Sequence, residues 1–116
     1  MEKTMENGVM WTRHNYSATV SMQDLIDSYM LPFQTCVEKG RVSGLMCSYN
    51  AINGVPACAN DWLLTKVARE AWQFDGYITS DCDADGDVFT EHHFTATPEE
   101  TVRDVLRAGT DVDCTA

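Results

Sequence analysis

The sequence predicts an α/β fold in which short parallel strands alternate with helices. Three observations carry that reading. Apolar runs end in polar residues at a spacing of about 33 residues, at Ser48-Tyr49-Asn50, at Ser80-Asp81 and at Asp111 to Asp113. A segment of helical period separates each pair of runs. This βαβαβ order suits a parallel sheet with right-handed crossovers.

Residues 1–12 read as a poorly matched leader, and Trp11 within it has no assignable role. Ser21 is placed to cap a helix over residues 22–39, where Leu25, Ile26, Tyr29, Met30, Phe33 and Val37 recur at spacings of three and four and predict one buried face. Pro32 predicts a kink or split in this helix, and Gly40 its end. Residues 42–49 form the first expected strand. The stretch 50–56, rich in Asn, Gly and Pro, predicts no regular structure. Asn60 or Asp61 caps the next helix, to about residue 72, with Leu63, Leu64, Val67, Ala68 and Ala71 as its buried face and Trp62 and Trp72 packing it on the sheet.

Residues 76–80 form the second strand, and residues 81–91 read as an acid-rich loop on a solvated rim. Thr97-Pro98-Glu99-Glu100 has the cap, the proline and the first-turn acids of a helix start; that helix runs to Ala108 and Gly109 closes it. Residues 110–113 make a last short strand. Short strands with polar ends describe a barrel better than a wide open sheet, and no phosphate-binding glycine loop follows any of them. The expected fold is therefore part of a (β/α)8 TIM-type barrel, about three strands alternating with three helices, because a whole barrel takes roughly 250 residues and this chain has 116.

Composition narrows the function. Hydrophobic residues at 44% and charged residues at 22% suit a globular core. A net charge of -10 opposes nucleic acid and anionic membrane as partners, since both are bound through basic patches. The first residues lack an apolar signal-peptide core, and no apolar run approaches membrane-spanning length. Five cysteines without zinc-site spacing point to an oxidising compartment; if two pairs form, Cys36, in a helical stretch, is the odd one out. Asp81 is the leading candidate for chemistry, because strand ends hold side chains precisely and ligands gather there in parallel α/β folds. A rival reading takes Asp81, Asp83, Asp85, Gly86 and Asp87 as the first half of an EF-hand calcium loop. Its twelfth position is His92, however, with Glu91 one residue early, and a strand precedes it. His92 and His93 read as loop residues, adjacent side chains being poorly placed to face one ion.

Three blocks carry a family resemblance: Leu45-Met46-Cys47-Ser48-Tyr49-Asn50 with Asn53-Gly54-Val55-Pro56, then Phe74-Asp75-Gly76-Tyr77-Ile78-Thr79-Ser80-Asp81, then Ala108-Gly109-Thr110-Asp111-Val112-Asp113-Cys114. Over roughly residues 13–114 the chain resembles the catalytic barrel of glycoside hydrolase family 3, most like its β-xylosidases. The resemblance implies that residues 13–116 are the C-terminal part of that barrel, that Asp81 is the nucleophile, that Met46 and Tyr49 line the sugar site, and that Arg13 contacts sugar hydroxyls. It also implies a proton donor on a second domain, and the family's upstream Lys-His pair is missing here. Cys82 stands where many family glucosidases resemble Ser-Asp-Trp.

The chemistry is coherent: a retaining glycosidase needs an ionised carboxylate below the anomeric carbon and a proton donor about 5 Å away. A phenol such as Tyr49 and a cation such as Arg13 favour the anion. Cys82 and Cys114, at matching ends of neighbouring strands about 4.8 Å apart, are expected to bridge at the pocket rim, crowd a hexose hydroxymethyl and favour a pentose. Cys47 and Cys58 flank the Asn-Gly-Val-Pro turn and are expected to staple it. The implied protein is an exo-acting, retaining β-D-xylosidase, secreted, acting on carbohydrate without cofactor or metal. The chain's stop after Asp113-Cys114 suggests a piece of a longer parent, inactive alone; the other reading of such a piece is an inactive sugar-binding fragment, self-associating and marginally stable through open sheet edges.

Overall fold

The computed structural model describes residues 3–115; Met1, Glu2 and Ala116, which fall within the expected ranges 1–12 and 13–116, lie outside the described residues. The chain opens with an antiparallel hairpin, β1 (Thr4–Glu6) and β2 (Val9–Trp11). Asn7 and Gly8 turn it at φ 51° and 78°, the two positive values that a type I′ turn demands. Trp11 is the one partly covered residue of this ribbon. A two-residue strand, β3 (Ser17–Ala18), follows.

The helix expected over 22–39 comes in three pieces: α1 (Met22–Asp24), a π-helical turn Leu25–Tyr29, and α2 (Leu31–Glu38). Ser21 caps it as expected, its Oγ accepting from the Asp24 N–H at 3.1 Å. The split falls at Met30, so that Pro32 stands in the first turn of α2, where its missing N–H costs nothing. The expected apolar face divides as well: Leu25, Met30 and Val37 are buried, while Ile26, Tyr29 and Phe33 are exposed. The wide turn, with the Met30 N–H reaching back five residues to the Leu25 carbonyl, carries the second half out of the 3.6-residue register.

β4 (Gly44–Cys47) is the core of the first expected strand. Residues 50–56 are not irregular: β5 (Ala51–Ile52) and β6 (Val55–Pro56) form a hairpin, turned by Asn53 and Gly54 at φ 50° and 84°. Asn-Gly is a hairpin signal as well as a loop signal, and Asn53 is further held by its side-chain bonds to the Val20 N–H and carbonyl. β5 also pairs in parallel with β3.

A 3₁₀ turn, Ala57–Ala59, leads to Asn60, whose Oδ1 accepts from the Leu63 N–H at 3.0 Å; the capping acceptor is Asn60, not Asp61. The helix that follows, Trp62–Ala71, is wound as a π-helix. Its wider turn buries Leu64 and Ala68 but leaves Ala71 exposed and Leu63 and Val67 only partly covered, correcting the face predicted from a 3.6 period. Trp72 packs on the core as expected, whereas Trp62 is exposed.

β7 (Tyr77–Ser80) pairs in parallel with β4, from Gly44↔Tyr77 to Cys47↔Ser80. The expected third strand shrinks to one parallel bridge, Thr79↔Val112. The reason lies in Asp111: its carboxylate accepts from the Ile78 N–H at 2.8 Å, taking the place of a ladder carbonyl. Residues 81–91, expected as a loop, contain α3 (Ala84–Thr90), with Asp85 and Asp87 in its first turn where the helix dipole favours acids. α4 (Pro98–Ala108) is as predicted, capped by Thr97 Oγ1 on the Glu100 N–H and ended by Gly109 at φ 118°.

The core lies between the sheet and the helices, with Val37, Cys47, Leu64, Phe74 and Ile78 at its centre. Strand alternation sends Cys47, Ile78 and Ser80 to that side. Met46 and Tyr77, with Val112 on the bridge, are exposed on the opposite face, the one that a closed barrel turns inward.

Candidate active site

Asp81 leaves β7 where pairing stops. Its N–H donates to the Cys47 carbonyl at 2.9 Å, its carbonyl accepts from the Ala84 N–H at 3.0 Å, and its Oδ1 accepts from the Cys82 N–H at 2.8 Å. A carboxylate anchored by backbone on both sides is preorganised, which is what a nucleophile or binding group requires. Cys82, the next residue, is bonded to Cys114, and the Asp83 N–H donates to the Cys114 carbonyl at 2.7 Å. The segment carrying Asp81 is thus tied to β4 on one flank and to the stretch just beyond the Val112 bridge on the other. The second expected disulfide, Cys47–Cys58, is also formed and lies in the core, and Cys36 is free and exposed.

Tyr49, two residues beyond β4, brings its hydroxyl close enough to Asp81 to feel the carboxylate. Its phenol is held above the usual tyrosine range, first by desolvation, then by the neighbouring carboxylate of Asp81 and the negative charge of Asp83, with Arg13 opposing. Tyr49 therefore remains a proton-bearing donor toward the carboxylate. The Arg13 guanidinium lies 5.5 Å from the Tyr49 ring centroid. Arg13, Tyr49 and Asp81 are brought together as one cluster from residues far apart in sequence. Met46 stands opposite Thr79 on the exposed sheet face, and by alternation Asp81 leaves β7 toward that same face.

Three residues of this cluster escaped the sequence reading. His14 stacks on Tyr49, ring centroids 4.4 Å apart and planes tilted by 48°, and its Nδ1 meets Asp87 Oδ2 at 2.7 Å. Asp87 is buried on α3. His92, in the turn after α3 as expected, places Nε2 2.7 Å from the Tyr49 carbonyl. A signal existed for Asp87: once residues 84–90 are helical, Ala84, Asp87 and Val88 share one buried face, and a buried acid needs a partner.

The calcium-loop reading is overturned. Asp85 and Asp87 lie inside α3 rather than in a loop, and the preceding element is a strand. Asp87 is engaged by His14, while Asp85 faces the like charge of Asp113 and its buried Oδ1 has no hydrogen-bond partner among the described residues. Burial, then the nearby charge of Asp113, push the Asp85 carboxyl up to about 7. The two sulfurs close to Asp85 are those of Cys47 and Cys58, which are bonded to each other and so are not metal ligands.

Parallel strands joined through helices, with a preorganised carboxylate and phenol at their carboxyl ends, define an α/β domain of the kind that binds ligands at that edge. The family model described as "Glycosyl hydrolase family 3 N terminal domain" matches residues 6–115, and the chain belongs to that family. It is 50% identical over 103 residues to "Probable beta-D-xylosidase 7" of Arabidopsis thaliana, covering 89% of this chain and 13% of that protein. It is also 50% identical over 111 residues to a "Probable exo-1,4-beta-xylosidase" of Aspergillus fumigatus, covering 93% and 14%. Among solved structures, a GH3 exo-beta-xylosidase in complex with a xylobiose aziridine activity-based probe superposes with a TM-score of 0.87 at 35% identity, covering 89% of this chain and 14% of that one. The chain thus spans about a seventh of the length of the relatives it matches.

Proposed function

We propose that this chain forms the nucleophile-bearing edge of an exo-acting, retaining β-glycosidase that removes xylosyl units, with Asp81 as the nucleophile. The observation that carries the reading is the Asp81 carboxylate itself, anchored by the backbone at the end of β7 and neighboured by the Tyr49 phenol. In the reaction, Asp81 attacks the anomeric carbon as the leaving oxygen takes a proton, giving a glycosyl ester that water then hydrolyses. Tyr49 stabilises the carboxylate before attack and releases it as the ester forms. Arg13 and Met46 contact the bound sugar, and the Cys82–Cys114 bridge narrows the pocket beside the nucleophile in favour of a pentose.

The proton donor is assigned to a second domain of the parent protein, so the isolated chain is expected to be inactive. The two disulfides and the xylosidase names of the relatives support a secreted parent acting in hemicellulose breakdown. The test is covalent trapping: the full-length protein is treated with an activated 2-deoxy-2-fluoro-β-xyloside and its peptides are analysed by mass spectrometry. A xylosyl adduct on Asp81, with Asp81→Asn losing at least about a thousandfold in kcat on an aryl β-xyloside, supports the assignment. An adduct on another residue, or an active Asp81→Asn enzyme, refutes it.

A further inference from the structure

Arg13 donates from Nε to His14 Nε2 at 3.3 Å. An arginine in a protein keeps its proton, so this contact requires a bare Nε2 on the imidazole. The ring proton then sits on Nδ1 and donates to Asp87 Oδ2 at 2.7 Å. His14 in this arrangement is a neutral imidazole with both nitrogens engaged, one by a buried carboxylate and the other by an exposed guanidinium. Its face simultaneously packs on Tyr49.

Each link has a separate anchor. Asp87 is 8% exposed and sits on α3, immediately beyond the segment that carries Asp81. His14 belongs to the connection between β2 and β3, and its bond to Asp87 spans 73 residues of sequence. Arg13 is a long, exposed side chain, and such a chain is held over an aromatic ring only if something fixes its rotamer. The Nε contact to His14 supplies that restraint. Tyr49 is gripped by Arg13 and His14 at its ring and by His92 at its carbonyl, and its hydroxyl reaches Asp81.

We propose that His14 is a positioning residue of the sugar site, a neutral imidazole that links the buried Asp87 carboxylate to Arg13 and so holds the Tyr49 hydroxyl on Asp81. The inference rests on the glycosidase reading above and assigns that site a residue outside the family blocks. His14 touches neither the reacting carbon nor the leaving group; it acts through Tyr49 and Arg13. Misplacing a catalytic group by about 1 Å costs on the order of a hundredfold in rate, so the loss of a ring support is large enough to measure.

The experiment is a double-mutant cycle in the full-length protein, with kcat/KM on an aryl β-xyloside and the rate of fluoro-xylosyl trapping as readouts. His14→Ala is expected to lower both by about 10- to 100-fold. In a Tyr49→Phe background, where no hydroxyl remains to be positioned, the same substitution is expected to cost clearly less, with only the share carried through Arg13 remaining. His14→Gln, a milder change, is carried through the same cycle in case the alanine variant does not fold, and melting of each variant verifies folding. Equal losses in both backgrounds, or a His14 effect within about twofold, overturn the proposal. Asp81→Asn separates the two levels: if it turns over normally, the nucleophile assignment falls and this inference with it, whereas an inactive Asp81→Asn beside additive His14 effects overturns the His14 role alone.

Discussion

Replacing Asp85 by Asn is expected to stabilise the protein above neutral pH and to change little in acid. In the unfolded chain this carboxyl ionises around 3.8, whereas in the folded protein burial and the Asp113 charge hold the proton until about 7. Between those values the unfolded state binds fewer protons than the folded state, so stability falls as pH rises. The penalty is absent below 3.8 and complete above about 7. A shift of about three pH units at 1.36 kcal/mol each sets a ceiling near 4 kcal/mol. Asp85 is only half-buried, and solvent screening brings the expected value to about 2 kcal/mol. Asn keeps a donor for Asp113 and carries no charge. Urea midpoints of the protein and of Asp85→Asn at pH 3.5 and pH 8 make the comparison. The reasoning fails if Asn brings no gain at pH 8, or the same gain at both.

Gly76→Ala should be poorly tolerated, since a Cβ there would overlap the Ser43 carbonyl oxygen, a backbone atom that cannot swing aside; a loss of about 3 kcal/mol or more in urea unfolding is expected, and a neutral variant would contradict the packing. Arg69 donates to the Gly76 and Gly109 carbonyls and to Asp111, the acid that stands in for a strand partner, so Arg69→Met should cost about 2 kcal/mol by the same assay and speed amide exchange at Ile78. Thiol titration of denatured, unreduced protein should find only Cys36, and all five cysteines after reduction. Opening the Cys82–Cys114 bridge, whose ends are 32 residues apart, should cost about 3–4 kcal/mol by loop entropy, read as the drop in melting temperature of the double serine variant.

The sequence by itself determined the alternation of strands and helices, because that depends on local signals: the Thr97-Pro98 start and Gly109 stop of α4, the Ser21 cap, and the apolar run into Ser80-Asp81. It also marked Asp81 as a candidate through its place at a strand end, and both disulfide pairs through matching strand ends and a flanked turn, while Tyr49 and Arg13 were marked only by the family resemblance. Tertiary structure alone decided the rest. The π winding of Trp62–Ala71 depends on what the helix packs against, so Ala71 turned outward despite its period. Asp111 kept the third strand from pairing ahead of Val112 because its carboxylate took the place of a backbone carbonyl on the Ile78 N–H, a contest invisible in a linear pattern. The contacts of His14 with Asp87 and of His92 with the Tyr49 carbonyl join residues 73 and 43 positions apart. No local period encodes such contacts; they exist because burial of Asp87 demands a donor and the fold happens to deliver one there.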